Sequence, residues 1–372
     1  MTIENLVIII PTYNEAGVIQ DTLTAVLNAT KAIANVAIQV LVFDSASTDN
    51  TQDIVRDFQK NHPQVHLITE AKKSGLGSAY LQAMRYALDE LSADIIFEFD
   101  ADLSHDPRYI EPMLLQIKTC DVVVGSRYVR GGRIPANWGW HRKCLSVLGN
   151  VVARTVLTPI YKDFTSGFRA TRRQALQQAL PIRFLSSNYA YKLELLWRLH
   201  KNKSKIREYP IEFVDREKGV SKLPANTVLD SLMVIFVLRY REMKQYLKMC
   251  LVGFSGMCVQ FIIYNLCRQY LTPFHAAQVA VTAAIINNFV LNSVFTFKRK
   301  QRRIKSTKTQ LKSLVIFLIY SVAFIYLQSY WLDIGVALLG TGVLKENLII
   351  ITGMIFGSFL NYLIYSRIVW SS

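Results

Sequence analysis

Five short apolar runs punctuate the first third of the chain: residues 6–10 (LVIII), 38–43 (IQVLVF), 65–68 (VHLI), 94–99 (DIIFEF) and 121–124 (DVVV). They are β-branched and largely apolar at consecutive positions, the pattern of strands covered on both faces. Helical patterns separate the first four, among them Val18–Ile33 and Thr51–Lys60, the latter preceded by Asp49 as a candidate cap. The alternation predicts an α/β domain with a mostly parallel sheet and ligand loops at the carboxyl ends of its strands. After Ser126 the pattern becomes irregular. From Asn226 to Leu247 the sequence NTVLDSLMVIFVLRYREMKQYL is apolar first and basic afterwards. It predicts an amphipathic helix at a membrane surface, although patterning alone does not separate a lipid-facing stripe from a core-facing one.

Beyond Lys248 the polar positions thin out. Met249–Cys267, Gln269–Phe297, Ser313–Leu332 and Asn347–Ser366 carry no charge over 19, 29, 20 and 20 residues. Each run meets the roughly 20 apolar residues that a helix needs to cross a bilayer. The expected organisation is therefore a domain over 1–225, an interfacial helix over 226–248 and four transmembrane helices within 249–372, at about 249–268, 274–297, 313–332 and 347–368.

Composition now has a meaning. The chain has 372 residues, 51% of them hydrophobic, and a formal charge of +16. Eight Lys/Arg and no acid fall between Lys298 and Lys312, half of that excess. The positive-inside rule places this loop in the cytoplasm and, with four spans, the N-terminal domain with it. Beside a membrane such a run reads as an anchor for anionic headgroups and not as a nucleic-acid patch. The start, MTIENLVIIIPTYN, has an acid and no basic n-region, and reads as a strand and not as a signal peptide. The five cysteines, Cys120, Cys144, Cys250, Cys258 and Cys267, show no metal or redox spacing.

The chemistry collects where strands end. Phe97-Glu98-Phe99-Asp100-Ala101-Asp102 closes the fourth run with acids two apart, the oxygen ligands that a hard divalent ion bridging a diphosphate requires. The first strand ends in Pro11-Thr12-Tyr13-Asn14-Glu15 and the second in Asp44-Ser45-Ala46-Ser47-Thr48-Asp49. Downstream, Arg127, Arg142, Arg216 and Lys222 offer anion partners. Convergence on one crevice would make a nucleotide-diphosphate site. Gly75-Leu76-Gly77 lacks the full G-x-G-x-x-G pattern and reads as a tight turn before a helix. His105 and His141 border the site, where a capping or solvent-facing role is favoured over a direct one; Trp138 and Trp140 suit either interfacial anchoring or packing.

These motifs carry a resemblance. PTYNE, the D-x-x-S-x-D loop, GLGSAY, DADLSHDP, GSRY, DFTSGFR at Asp163–Arg169 and REKGVSK at Arg216–Lys222 resemble, in matching order over residues 5–225, the dolichol/polyprenol-phosphate mannose synthases. Those are inverting family-2 glycosyltransferases with a glycosyltransferase A-type, Rossmann-like fold. The remainder resembles the GtrA-like four-helix domain, through Asn288-Phe289-Val290-Leu291-Asn292 with Phe295 and Phe297, weakly echoed at Phe359-Leu360-Asn361. The resemblance implies that Pro11, Tyr13 and Glu15 hold the nucleotide and that Phe43, Asp44 and Ser45 contact its base or ribose. The family commonly has two adjacent acids where this chain has Asp44-Ser45, so base selectivity stays open. It further implies Asp100, Ala101 and Asp102 against the sugar diphosphate, Asp102 and Ser104 on Mg²⁺ or Mn²⁺, and Arg127, Arg216 and Lys222 on the donor diphosphate. Arg142 and Ser146 would meet the lipid phosphate, and Asp100, Asp102, Arg127 and Arg142 would carry the catalysis. GDP-mannose and a polyprenyl phosphate are the implied substrates. UDP-glucose or another sugar nucleotide is the alternative donor, and a lipid-sugar flippase or scaffold the alternative of another class. No Gln-x-x-Arg-Trp motif follows the sheet region, which argues against a processive polysaccharide synthase.

Overall fold

The computed structural model describes residues 4–136, 138–214, 226–291 and 307–364. Arg216, Lys222, Asn292, Phe295, Phe297 and the bases from Lys298 to Lys305 lie outside these residues. Two compact units divide the chain at Arg241/Glu242.

The first unit is built on seven strands: β1 (Glu4–Thr12), β2 (Val36–Asp44), β3 (Val65–Thr69), β4 (Ile95–Glu98), β5 (Val122–Ser126), β6 (Arg169–Arg172) and β7 (Ile206–Pro210). Their order is β3-β2-β1-β4-β6-β5-β7. All neighbouring pairs are parallel except those of β6, which runs against both β4 and β5. The five runs read from the sequence are β1–β5; β6 and β7 escaped that reading because RATR and IREYP are polar and short.

Two cores explain the apolar runs. Val7 and Ile9 of β1 join one, with α3 (Leu76–Asp89), α6 (Arg173–Ala179) and α7 (Tyr191–Lys201). Leu6, Ile8 and Ile10 join the other, with α1 (Ile19–Thr30), α2 (Thr51–Asn61) and α4 (Ile110–Ile117). Successive strand residues point to opposite faces, so a strand buried on both sides has no polar alternation. The sheet direction then assembles the site. Parallel strands bring Thr12, Asp44 and Ser126 to one edge. Because β6 is reversed, it is its beginning, with the preceding Asp163–Gly167 loop, that reaches the same edge.

Helix α5 (Trp140–Val156) follows β5. Helix α8 runs from Thr227 to Cys267 without interruption, over the expected interfacial segment and the first span. Its first part presents both stripes that patterning left open: Val234, Ile235 and Leu238 are buried in the first unit's core, while Leu229, Met233 and Phe236 are exposed.

The second unit contains the rest of α8, α9 (Pro273–Leu291), α10 (Thr307–Leu339) and α11 (Val343–Ile364). Among the described residues three stretches are long and apolar enough to span a bilayer, Leu247–Cys267, Pro273–Leu291 and Ser321–Leu339. Asp333 was expected to end the third span near Leu332. A single charge lowers hydropathy without breaking a helix, and α10 continues to Leu339, where Gly340 and Gly342, with φ of 81° and 144°, make the turn into α11. Ala276, Ala277 and Ala280 are buried against Tyr264, Leu332 and Ile349, small residues that let helices approach. Glu346 is buried in the first turn of α11, accepting hydrogen bonds from Tyr264 Oη (2.7 Å) and Arg268 Nε (3.0 Å).

Candidate active site

A cavity of about 750 Å³ opens at the sheet edge of the first unit. Pro11, Tyr13, Glu15, Ser45, Asp100, Ala101, Asp102, Ser104, Arg127, Arg142 and Ser146 all line it. Residues spread over more than 130 positions are thus brought together. Phe43 and Asp44 are the exceptions. Both are buried and absent from the lining. Asp44 turns inward because its carboxylate accepts from Thr12 Oγ1 (2.9 Å), the Ser47 backbone N (2.9 Å) and Gln52 Nε2 (2.7 Å). It therefore shapes the loop, and Ser45 faces the cavity. Lys73 caps Tyr13, its Nζ 3.3 Å from the ring centroid. Gly75, with φ of 100°, makes the tight turn that opens α3.

The acids rest on a buried ionic layer. Glu98, facing Arg169 across the antiparallel β4–β6 pair, accepts from its Nε at 2.6 Å and Nη2 at 2.9 Å, and from Tyr191 Oη at 3.0 Å. Above it Asp100 has Tyr80 Oη at 3.4 Å, His105 Nδ1 at 3.7 Å and Lys192 Nζ at 3.7 Å. Burial, and then the charge of Asp100, pushes the Tyr80 hydroxyl well above its ordinary pKa, so it stays a neutral donor. Burial opposes the charge on Lys192, but the carboxylates, Asp100 foremost, prevail and hold its pKa above the ordinary value. His105, expected in a capping or solvent-facing role, is instead buried and stacked 4.7 Å from Phe168.

Arg127 lines the cavity with two of its nitrogens already engaged. Nε and Nη2 donate to Asp163 at 2.7 and 2.8 Å, and Nη2 also to Thr165 Oγ1 at 2.7 Å. Burial favours the neutral acid at Asp163, yet the Arg127 charge and hydrogen bonds outweigh it and hold the carboxyl below its ordinary range. Arg142 stacks on Trp138 at 4.0 Å, and Ser146 shares a 2.7 Å hydrogen bond with Tyr128 Oη. Leu145, Leu148 and Val152 of α5, with Val228, Leu232 and Ile235 of α8, continue the lining as an apolar wall. Trp138 packs on Phe213 and is buried, whereas Trp140 is 78% exposed.

Among the described residues no three His, Cys, Asp or Glu side chains converge as a metal cage. Asp102 and Ser104, joined by a 3.1 Å bond from the Ser104 backbone N to Asp102 Oδ1, are oxygen-bearing residues of the cavity lining. That donor set fits Mg²⁺ or Mn²⁺, which one or two carboxylates hold while substrate phosphates complete the shell.

Sequence reasoning missed Glu98's partner Arg169, Arg127's partner Asp163, and Lys192. The available signals were acidic and basic residues set singly in apolar runs, such as Lys192 and Glu194 within YKLELLW.

The first unit is thus a Rossmann-like, mostly parallel sheet with paired acids at the carboxyl edge of its strands, and helices long and apolar enough to cross a membrane follow it. Residues 7–180 match glycosyl transferase family 2, and residues 248–370 match the GtrA/DPMS transmembrane domain. A dolichol-phosphate mannosyltransferase of Pyrococcus furiosus is 31% identical over 374 residues, which cover 98% of this chain and 99% of that protein. An undecaprenyl-phosphate mannosyltransferase of Micrococcus luteus is 36% identical over 220 residues, 59% of this chain and 88% of its own. A glucosyl-3-phosphoglycerate synthase of Mycobacterium tuberculosis, solved with Mn²⁺, UDP-glucose and phosphoglyceric acid, aligns at 18% identity and a TM-score of 0.43 over 63% of this chain and 80% of that one. The chain belongs to the family-2 glycosyltransferases that carry a GtrA/DPMS transmembrane domain.

Proposed function

We propose that the protein transfers mannose from GDP-mannose to a polyprenyl phosphate, with inversion, at the cytoplasmic face of the membrane. One observation carries this reading: a single cavity joins the Asp100–Asp102 acids to Arg142, Ser146 and an apolar wall on α5 and α8. A sugar nucleotide suits the polar end. An acceptor with a phosphate head and a hydrocarbon tail suits the other. The names of the similar mannosyltransferases support mannose as the sugar and polyprenyl or dolichyl phosphate as the acceptor. The eight bases between Lys298 and Lys312 support the cytoplasmic orientation.

An acceptor phosphate is ionised near neutral pH, so its oxygen attacks the anomeric carbon without a strong general base. That bond forms as the bond to the nucleoside diphosphate breaks, and the diphosphate leaves with the electron pair. The protein's task is to bring two anions together and hold them in line. Asp100, fixed between Tyr80 and Lys192, orients the sugar. Arg142 and Ser146 position the lipid phosphate, while Arg216 and Lys222 contribute charge to the donor diphosphate, with Arg127 at the cavity wall. A Mg²⁺ or Mn²⁺ ion on Asp102 and Ser104 would neutralise charge developing on the departing diphosphate.

The test is direct. Full-length protein is incubated with polyprenyl phosphate and labelled GDP-mannose, UDP-glucose or other sugar nucleotides, with Mn²⁺ or with chelator. Label should enter the lipid from GDP-mannose and depend on the ion. Preferential transfer from UDP-glucose would move the donor assignment, and no transfer from any donor would overturn the reading.

A further inference from the structure

We propose that Lys192 reads a hydroxyl of the donor sugar and so helps set which hexose is transferred; this rests on the transfer reading above. Lys192 lies in the first turn of α7 and is 1% exposed, yet it lines the cavity. Its Nζ stands 3.7 Å from Asp100 Oδ2 and 4.2 Å from the centroid of the Tyr189 ring. Neither contact is a hydrogen bond. Among the described residues no protein acceptor takes its N–H groups. An ammonium has three donors and no acceptor, so a ligand in the cavity that accepts can meet them. Gly167 keeps the space open, since a Cβ there would come 2.1 Å from Nζ.

The neighbour decides what chemistry fits. A phosphate oxygen drawn to Nζ would be pressed against the Asp100 carboxylate. A hydroxyl accepts from Nζ and donates to the carboxylate at once, meeting both groups with no added charge. Two guanidinium groups of the site are already paired, Arg127 with Asp163 and Arg169 with Glu98. The Lys192–Asp100 pair is thus matched to a neutral hexose, with the lysine as its obligate donor.

The experiment compares full-length wild type, Lys192→Met and Lys192→Gln on GDP-mannose and its 2-, 3-, 4- and 6-deoxy analogues, reading kcat/KM ratios. Wild type should disfavour one deoxy analogue by at least about tenfold, the worth of a hydrogen bond from a charged donor. In Lys192→Met that one ratio should collapse to within about threefold while the others stand, and Lys192→Gln, still a donor, should keep part of it. A general structural role would lower all rates and leave the ratios alone. If Lys192→Met is folded by thermal melting but too slow to assay, the same ratios are read from equilibrium binding of the analogues. Unchanged discrimination in Lys192→Met overturns the assignment while leaving the transfer reading intact. Absence of transfer by wild type from any sugar nucleotide overturns both.

Discussion

The interior of the sheet and its charged edge reach stability by opposite means. On the β2-β1-β4 side, Leu6 to Ile10 and Val40 to Val42 are wholly buried hydrocarbon between two helical layers. Where β4, β5 and β6 meet the site, Arg169–Glu98 and Arg127–Asp163 form two bidentate pairs in which each partner is at most 7% exposed. Hydrocarbon burial is tolerant, because a lost methyl leaves only a small void. A buried ion pair is unforgiving, because deleting one partner strands a charge. The unforgiving pairs lie around Asp100 and Lys192, so the charges that place the site are also the ones that tolerate least change.

The largest expected effect is on chemistry alone. Asp102→Ala should cut transfer by at least about 100-fold, as loss of electrostatic stabilisation in a closed site does, while leaving the melting temperature close to wild type. Next, Arg169→Met should destabilise the first unit by about 3–5 kcal/mol, measured by denaturant unfolding, because Glu98 is left buried and unpaired. The double variant Glu98→Leu with Arg169→Met should recover most of that stability yet transfer poorly. Equal stability of single and double variants would break the comparison, since the pair would then be no more demanding than packing. On the other side Ile8→Val should cost only about 1 kcal/mol and leave activity unchanged.

The smallest effect concerns pH. Burial lowers the pKa of His66 on β3, so the unfolded chain binds a proton at higher pH than the folded one. Stability is full above the ordinary value of about 6.5 and drains as pH falls from there toward the depressed folded value. His66 Nε2 lies 2.9 Å from Gln39 Oε1, and His66→Gln, which keeps a polar partner there, should flatten slightly the fall in melting temperature between about pH 7.5 and 5. A steeper fall in the variant would reverse the assigned sign.

Much of this molecule is legible along the chain because its causes are local. A doubly covered strand must be apolar at consecutive positions, a span must be long and uncharged, and strand-end loops must hold the polar groups. Runs such as LVIII and Phe97–Asp102 therefore declare both the sheet and the acids of the site. Tertiary structure alone decided the rest. That Asp44 folds inward to Thr12 and Gln52, that a reversed β6 carries Asp163 to Arg127, and that Lys192 rises under Asp100 through the gap at Gly167 all depend on contacts between residues far apart in sequence. The energy of a buried charge lies in its partner, and no single position along the chain contains that partner.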